Sequence, residues 1–595
     1  MNSNCNIHVK YMKTMVKWVW TWILLMLLSS PACAVRKSAA RPVFKKVYVD
    51  AGTWQDPVAL KAVEVFRRVV NDKADDDLFV SSPVQRALRV HLCVRPSLKA
   101  ENFVIEIRKR DVHIYAADGR GVLYGLGKLL HSSYVWPDGF ELGDCRGTFS
   151  PDKPVRGIYL ATHFHNYYND APIEEVTHYI EELSLWGFNG LSVWFDMHHY
   201  TGLDDPNAQA MISRLKQFLL AGRAVGMSSC LTMLANEGYS TTPRELRAER
   251  IRWTAFFGCE ICPSQPGGTE LILKNRAEML DALQHEGLEI GNVWLWPYDQ
   301  GGCSCPRCRE WGGNGFLRLT QRLAEMMRQK VPEARLVMST WLFDFQEQDK
   351  GEWRALARAF ETQKPWVDCI MADSHTSFPS YLLSHPVPGG LPLQNFPEIS
   401  MWENYPWGAY GANPLPLRFE QLWGQVRDKA EGGFPYSEGK FEDFNKVLYS
   451  QFYWDSSRGA RDILREYVAH EYSPLYVDSI VEAILIIEKN IGMKSVNWDT
   501  HPRDPKVIKV PVHDFGAQRA MDLLEAVDVR LPEQVRSSWR WRIMLLRARM
   551  DVALRRSGGK VTPQVNEMFR ELQEISSVQK GDFCVRPPYQ AELGK

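Results

Sequence analysis

A single acidic residue, followed by glycines and cysteines, marks the segment of this chain best suited to chemistry. Residues 294–308 read WLWPYDQGGCSCPRC, so an apolar, strand-like run ends at Asp299. An acid at the carboxyl end of a barrel strand faces the mouth at which catalytic groups gather. We therefore predict that Asp299 supplies a carboxylate to a catalytic site. The cysteines are placed to hold the loop that follows it.

Five cysteines fall in two neighbouring loops of the predicted fold. A Cys-x-x-Cys pair that faces another such pair is a familiar four-thiolate zinc site, whereas an exported protein can join the same thiols as disulfides. The spacing leaves both alternatives open. Four thiolates would close the coordination sphere of a metal, so the predicted zinc is structural and we expect no cofactor for catalysis. The predicted ligands are Cys259, Cys262, Cys305 and Cys308, with Cys303 in reserve.

These residues need a scaffold that brings strand ends together, and the central part of the chain has the pattern of one. Between residues 155 and 455, apolar strands alternate with amphipathic helices, as expected of βα units in a parallel barrel. The predicted fold class is α/β, with a catalytic (β/α)8 TIM barrel in this region. The eight predicted strands are 157–162, 190–195, 228–235, 292–297, 335–340, 367–372, 398–402 and 433–437.

The regions on either side of the barrel have different patterns. Residues 40–150 predict a small N-terminal α/β domain, with a hairpin at 103–116 in which apolar and polar residues alternate. Residues 456–580 contain helical patterns without intervening strands, including a long one at 532–555. This part of the chain therefore predicts an all-α C-terminal domain.

Residues 1–34 have the composition of a secretory signal peptide. Lys13 and Lys17 precede an apolar run at 18–28, and the small residues at 32–34 fit a cleavage site. The apolar run is too short to span a bilayer, and no later stretch is long enough to be a transmembrane segment. We expect an exported protein, periplasmic or secreted, with a lipid anchor at Cys33 as an alternative.

Polar and aromatic residues recur at the ends of the predicted strands. The histidines on strands one and two are suited to hydrogen bonding with sugar hydroxyls or a carboxylate. Aromatic rings in such positions can stack on sugar rings. The predicted substrate-binding residues are His163, His165, Asn166, Asp196, His198, Asn236, Gln300, Trp341, His375, Trp402 and Glu438.

Carboxylates at the strand ends are suited to glycoside cleavage, which requires a proton donor and a second carboxylate, or a substrate group, at the anomeric centre. Many retaining glycosidase barrels place the acid at the end of strand four and the nucleophile at the end of strand seven. Asp299 and Glu403 hold those places and form our leading pair. Asp373 is a further catalytic candidate, and Glu237 is a second candidate acid. A carboxyl separation of about 5 Å implies retention, and one of roughly 6.5 to 9.5 Å implies inversion.

A motif near residue 120 carries a family resemblance. Residues 112–125, VHIYAADGRGVLYG, resemble the end of the α/β domain that precedes the barrel in hexosaminidases of glycoside hydrolase family twenty and in bacterial α-glucuronidases. The resemblance covers the first predicted domain and implies a carbohydrate-active barrel. Similarity to the α-glucuronidases implies inversion, with an acid on strand four facing carboxylates on strands six and seven. Asp299, Asp373 and Glu403 occupy comparable places in this chain.

The resemblance to the hexosaminidases breaks at strand four. In that family the strand ends in an Asp-Glu pair, in which the Asp orients the substrate acetamido group and the Glu is the acid. This chain has Asp299-Gln300, and a glutamine cannot protonate a leaving group, so that mechanism does not transfer intact. The acid-glycine-cysteine string also resembles the Asn-Asp-Asn-x-x-x-Cys-x-Cys-x-x-Cys segment of uncharacterised and endo-acting bacterial glycosidases with this architecture, in which Asp299 is again the matched residue.

Composition narrows the function classes. Lys and Arg together number 71, as do Asp and Glu, so the net charge is zero. The sequence also contains no run of basic residues that could bind along a phosphate backbone, and we therefore expect no nucleic-acid partner. Aromatic residues make up 12% of the chain, with 21 Trp, which favours sugar stacking. We predict a glycoside hydrolase acting on an oligosaccharide or polysaccharide that contains N-acetylhexosamine or uronic acid. Two alternatives stay open: a catalytically inert glycan-binding barrel, which Gln300 favours, and a metal-dependent hydrolase that uses the histidines.

Overall fold

The computed structural model describes residues 41–251, 257–284, 288–299, 301–346, 350–400, 411–491, 510 and 513–577. The described residues from Phe44 to Ser577 belong to the larger of two compact units of the chain. The predicted signal peptide and the alternative lipid anchor lie outside the described residues.

A closed barrel of eight parallel strands occupies the middle of the larger unit and confirms the predicted fold class. The first strand pairs with the second through Gly157 and Gly190, and with the last through Tyr159 and Tyr436, so the sheet has no free edge. The strands are Val155–Leu160, Gly190–Trp194, Ser228–Leu234, Asn292–Trp296, Arg335–Ser339, Cys369–Ser374, Leu393–Pro397 and, in two pieces, Ala430–Gly433 and Tyr436–Ser437.

The seventh strand lies earlier in the chain than the sequence pattern predicts. We expected it at 398–402, and the structure places it at Leu393–Pro397, paired with the sixth strand from Ile370 to Ser374. Two polar residues, Gln394 and Asn395, interrupt the apolar pattern of this strand and are nevertheless fully buried. The correction has a consequence for the site, because the residue that directly follows the strand is Glu398.

Aromatic rings fill the inside of the barrel. Trp294 on the fourth strand stacks on Tyr159 with ring centroids 6.1 Å apart and meets the edge of Phe434 at 4.5 Å. Gly157 makes room for this packing, because a Cβ at that position would lie 2.0 Å from the Phe434 ring. Strands buried on both faces are expected of a parallel barrel wrapped by helices. The residues at the mouth therefore rest on a closely packed aromatic floor.

Helices surround the strands and alternate with them along the chain. The helix Pro206–Ala224 shows how one of them begins. The Asp205 carboxylate caps it by accepting a hydrogen bond from the backbone of Asn207 at 2.9 Å. The α-helices are Tyr167–Asp170, Ile173–Leu185, Pro206–Ala224, Gly268–Gln284, Gly315–Lys330, Glu352–Thr362, Ser380–Ser384, Pro416–Val426 and Asp443–Trp454, and the 3-10 turns are Met197–His199, Arg244–Leu246 and Pro388–Gly390.

The region before the barrel contains a five-stranded mixed sheet covered by two helices. Asp118 caps the second helix by accepting a hydrogen bond from the Gly121 backbone at 2.9 Å, and Gly121 is needed there because a Cβ would lie 2.8 Å from the carbonyl of Asn102. The sheet strands, in spatial order, are Val47–Asp50, Leu88–Val94, Asp111–Ala116, Phe103–Arg108 and Gly147–Phe149; the helices are Pro57–Asn71 and Gly119–Ser132; short strands lie at Val43–Phe44, Tyr134–Trp136 and Gly139–Glu141.

The region after the barrel is helical, as predicted. The single helix expected at 532–555 is divided in two at Ser537 and Ser538, where Ser538 caps the second helix. Arg540 in that helix pairs with Asp443 of the barrel at 2.9 Å. No described helix is long and apolar enough to cross a membrane. The helices are Ala460–Glu471, Val477–Lys489, Ala517–Asp528, Glu533–Arg536, Trp539–Arg556 and Pro563–Ser577.

Candidate active site

The carboxyl ends of the barrel strands bring most of the predicted site residues to one mouth. The strands are parallel, so the residues that follow them lie on the same side of the barrel. Gln300, Trp402 and Glu403 lie outside the described residues, and the pairing of Asp299 with Glu403 therefore stays a prediction. The described members, in strand order, are His163, Asp196, His198, Glu237, Asp299, Trp341, Asp373, His375 and Glu438.

Asp196, His198 and Glu237 form a buried charge network at the ends of strands two and three. Nδ1 of His198 lies 2.6 Å from Oδ1 of Asp196 and 3.2 Å from Oε1 of Glu237. His199 places its Nε2 atom 3.3 Å from Oδ2 of Asp196, and Arg276 places Nη2 3.3 Å from Oε2 of Glu237. All five side chains are buried. Opposite charges are thus held together away from water, where their interaction is strong.

Burial and mutual charge set the protonation of this network. Burial raises the pKa of Glu237, and the charge of Asp196 raises it further, to about 7. Burial lowers the pKa of His198, but Asp196 and, to a smaller extent, Glu237 more than offset this effect and bring it to about 9. Burial would raise the pKa of Asp196, yet the charge of His198 and hydrogen bonds within the network hold it well below its usual value. At neutral pH the network therefore contains an ionised Asp196 and a cationic His198.

Asp299 lies directly beyond the fourth strand in a backbone conformation that few residues other than glycine adopt. Its φ is +83°. Burial raises the pKa of its carboxyl to about 6; the charge of Asp196 adds to the increase and that of His198 opposes it. A carboxyl with this pKa holds a proton at mildly acidic pH and can pass it to a substrate. Backbone strain of this kind is concentrated at functional sites.

Asp373, His375 and Trp341 form a second group, at the ends of strands five and six. Burial raises the pKa of Asp373 to about 7. Nδ1 of His375 lies 3.7 Å from the Asp373 carboxylate, and the His375 ring meets the edge of Trp341 at 4.6 Å. Burial, with the charge of Arg418, lowers the pKa of His375 to about 3, so this imidazole is neutral. Asp373 is thus a carboxyl that is protonated at mildly acidic pH and titrates near pH 7.

Glu398 and Glu438 form a pair of buried carboxyls at the ends of strands seven and eight. Burial raises the pKa of Glu438 well above its usual value, and the charges of Glu398 and Glu442 add to the shift. The Tyr436 hydroxyl donates to Glu438 at 3.0 Å, and the backbone of Ser400 donates to Glu398 at 2.9 Å. Sequence reasoning missed Glu398 because it placed this acid inside strand seven. Its signal is its position directly after Pro397.

Aromatic side chains line the mouth beside these acids. The His163 ring stacks on Trp194 with centroids 4.7 Å apart, and its Nδ1 atom lies 2.8 Å from the Tyr159 hydroxyl. Trp296 and Trp341 are in contact at 5.3 Å. Among the described residues, none accepts a hydrogen bond from the buried indole nitrogens of Trp194, Trp296 and Trp341. These N–H groups are donors that a polar ligand in the mouth can satisfy.

Three predicted substrate-binding residues are engaged within the protein instead. His165 pairs with Asp170 at 2.7 Å, and Asn166 caps the helix Tyr167–Asp170. The amide of Asn236 donates to the carbonyls of Ile261 and Gly302, both at 3.0 Å. The polar side-chain atoms of Asn236 thus hold two loops together, and the residue is fully buried.

Four of the five loop cysteines come together. The sulfurs of this group all lie within 4.8 Å of one another. The group differs from the predicted ligand set in one member, because Cys259 lies outside it and Cys303, the predicted reserve, belongs to it. No disulfide joins any of the cysteines that the structure describes. The group is Cys262, Cys303, Cys305 and Cys308.

Comparison with known proteins shows that this chain shares its fold with solved glycosidase structures. No protein-family model and no curated protein matches this chain. A family GH115 4-O-methyl-α-glucuronidase with specificity for decorated arabinogalactans is similar over 90% of this chain and 76% of its own, at 11% identity and a TM-score of 0.56. A GH138 enzyme targeting pectin rhamnogalacturonan II is similar over 89% and 73%, at 10% identity and a TM-score of 0.52.

A GH20 β-N-acetylhexosaminidase from Streptomyces coelicolor A3(2) is similar over 72% of this chain and 93% of its own, at 12% identity and a TM-score of 0.48. At such identities, the likeness to the first two structures shows that the architecture is shared. The expected resemblance to α-glucuronidases is thus confirmed at the level of the fold.

Proposed function

We propose that this chain is a glycoside hydrolase whose active site is the mouth of the barrel, with Asp299 as the proton donor. One observation carries the proposal: the partly buried carboxyls of Asp299 and Asp373, with pKa values raised to about 6 and about 7, share this mouth with aromatic rings. Raised carboxyl pKa values supply protons for general acid catalysis, and aromatic walls bind sugar rings.

The roles follow from the protonation states. Asp299 holds a proton at mildly acidic pH, as an acid that protonates the glycosidic oxygen must. The candidate for the second carboxylate is Glu403, because the pKa of Asp373, raised to about 7, leaves that carboxyl protonated wherever Asp299 is protonated. Asp196 stays ionised through its contact with His198 and orders the groups beside Asp299. Environments that push carboxyl pKa values apart are how such sites separate acid from base.

We infer that the substrate is a glycan containing uronic acid or N-acetylhexosamine. The two similar structures with the higher TM-scores are a glucuronidase with specificity for decorated arabinogalactans and an enzyme targeting pectin rhamnogalacturonan II, which supports a polysaccharide substrate. The unsatisfied indole N–H groups of Trp194, Trp296 and Trp341 suit hydroxyl or carboxylate oxygens.

A panel of aryl glycosides and natural oligosaccharides carrying these sugars tests the proposal. We expect the full chain to hydrolyse at least one of these substrates, and we expect Asp299→Asn to lose most of that hydrolytic activity. Asp204→Asn is the matched control, since it makes the same chemical change at an exposed residue in the loop after strand two. Binding of a glycan without hydrolysis across the panel would instead support the catalytically inert barrel.

One observation favours a second candidate, a metal-dependent hydrolase. Asp196, His198 and His199 bring ligand atoms within 4.8 Å of one another. The contact of Nδ1 of His198 with both Asp196 and Glu237 favours a cationic ring instead, which cannot bind a metal through that nitrogen. An Asp196→Asn variant that loses both a bound ion and all activity, while Asp299→Asn stays active, would establish the metal-dependent reaction.

A further inference from the structure

Four buried cysteines lie at the junction of the loops that follow strands three and four. The Sγ atom of Cys262 is 3.8 Å from that of Cys305 and 3.9 Å from that of Cys308. Cys303 belongs to the same group, and the exposed fraction of these four residues is at most 6%. Cys262 comes from the first loop and the other three from the second. The group therefore connects two loops that are separate in the chain.

The spacing of the sulfurs distinguishes a metal site from disulfides. A disulfide requires two sulfurs about 2.05 Å apart. Zinc held by four thiolates has Zn–S distances of about 2.3 Å, and a regular tetrahedron of that size has sulfur–sulfur edges of about 3.8 Å. The two distances from Cys262 agree with the tetrahedron. We propose that Cys262, Cys303, Cys305 and Cys308 bind one zinc ion that ties the loop after strand three to the loop after strand four.

The surroundings of the sulfurs suit a bound metal. The Ser264 hydroxyl lies 3.1 Å from the sulfur of Cys308. The backbone N–H groups of Ser264 and Cys305 lie close to the sulfurs of Cys262 and Cys303. Donors of this kind stabilise the negative charge that thiolate ligands carry and orient them toward the metal. A buried group of four thiols is otherwise a poor set of hydrogen-bonding partners, because S–H is a weak donor.

The proposed ion acts together with Asn236. The Asn236 amide binds the carbonyls of Ile261 and Gly302, which directly precede Cys262 and Cys303. Four thiolates leave no open position for a substrate, so the ion is structural. Its effect on the active site is to fix the path of the chain between Asp299 and Cys303. This inference does not depend on the reaction that takes place at the mouth.

Metal analysis of the full chain, purified in reducing buffer without chelators, tests the proposal. We expect one zinc ion per chain by inductively coupled plasma mass spectrometry. Cys303→Ser should lose most of this zinc, whereas the control Cys259→Ser should keep it, because Cys259 is also a buried cysteine but lies outside the group. Zinc kept at the wild-type level by Cys303→Ser would overturn the ligand set.

A second measurement does not depend on the folding of a variant. Cobalt substituted for zinc in the wild-type chain should give the intense visible bands of tetrahedral cobalt and the near-ultraviolet charge-transfer bands of cobalt–thiolate bonds. Alkylation and mass spectrometry of the metal-free, denatured chain should then find Cys262, Cys303, Cys305 and Cys308 reduced. A wild-type chain without metal, in which mass spectrometry finds disulfides among these cysteines, would overturn the proposal.

Discussion

Asn236 and Gly302 exchange two hydrogen bonds: the Asn236 amide donates to the Gly302 carbonyl at 3.0 Å, and the Gly302 backbone donates to the Asn236 side-chain oxygen at 2.8 Å. A third bond joins the same amide to Ile261. The end of strand three is thereby fastened to the segment that follows Asp299. A side chain that resembles a ligand-binding group in the sequence thus maintains the geometry of the loops.

We predict that Asn236→Ala destabilises the protein and lowers activity indirectly. The substitution leaves buried backbone groups of Ile261 and Gly302 without partners, and each unsatisfied group costs about 1 to 3 kcal/mol. Urea unfolding should show a loss of free energy of unfolding on the order of 2 to 4 kcal/mol. A variant with unchanged stability and a selectively raised KM would show instead that Asn236 binds substrate.

Asp299→Asn should abolish most glycosidase activity without unfolding the protein. Asparagine keeps the size of the side chain but removes the transferable proton, and general acid catalysis contributes about 10²- to 10⁴-fold. The loss should be largest for substrates with poor leaving groups, because activated aryl glycosides depend less on protonation. Comparing kcat on both substrate types checks this. Small and equal losses on both would move the role of acid to Glu237.

The activity of the wild-type protein should fall as the pH rises above about 6. Asp299 must be protonated to act as the acid, and its pKa is raised by burial to about 6. Deprotonation above that value removes the active form, so kcat/KM should have an alkaline limb near this pH. A profile that stays flat to pH 8 would exclude Asp299 as the sole acid.

Asp373→Asn should change stability in a pH-dependent direction. Burial raises the pKa of Asp373 from 3.8 to about 7, so between these values the folded state holds a proton that the unfolded state has lost. Wild-type stability therefore falls as the pH rises through this window. The uncharged Asn variant does not lose stability in this way. Its free energy of unfolding relative to wild type should therefore rise by on the order of 2 to 4 kcal/mol from pH 4 to pH 8. Thermal unfolding at both values measures it, and an unchanged difference would contradict the assignment.

Asp196→Asn should lower the pKa of His198 from about 9. The largest influence on this pKa is burial, which lowers it, and the largest opposing influence is the charge of Asp196. Because the pKa is raised in the folded state, the pair stabilises the protein most fully below the pKa of the unfolded histidine, near 6.5, and the benefit is lost as the pH rises through about 9. NMR titration of labelled histidines, with His198→Gln for assignment, measures the shift. A His198 pKa that stays near 9 in the variant would contradict this account.

The barrel could be predicted because alternating apolar strands and amphipathic helices are local features of the sequence. Strand seven could not be placed in the same way, since its polar residues are satisfied by distant partners: Gln394 donates to Glu431 at 3.1 Å, and Asn395 accepts from Ser374 at 2.8 Å. Such pairs are visible only in three dimensions. The error concealed Glu398, although its neighbour Glu438 was predicted.

The cysteine group likewise shows which features of the site the sequence pattern can predict and which depend on the three-dimensional structure. The Cys-x-x-Cys spacing favoured Cys259 as a ligand, but the loop carries that residue away from the group, and its carbonyl lies where a Cβ on Gly238 would meet it at 2.5 Å. Cys303 takes the fourth place because Gly302, with a φ of +104°, turns the chain back toward Cys262. Spacing predicted that a thiol-rich site exists, and loop conformation decided its members.

The left-handed backbone at Asp299 limits which residues can replace it during evolution. Among residues with side chains, Asp and Asn best tolerate a φ near +83°. A longer or branched residue at this position would destabilise the fold by about 1 to 2 kcal/mol through steric clash with the backbone. A lineage that changed its acid here would therefore pass most easily through Asn or Gly, both of which lack a transferable proton. A carboxylate at a neighbouring strand end would have to take over the role of acid before such a change. Related chains that lack Asp299 should therefore carry an acidic residue at another strand end of the mouth.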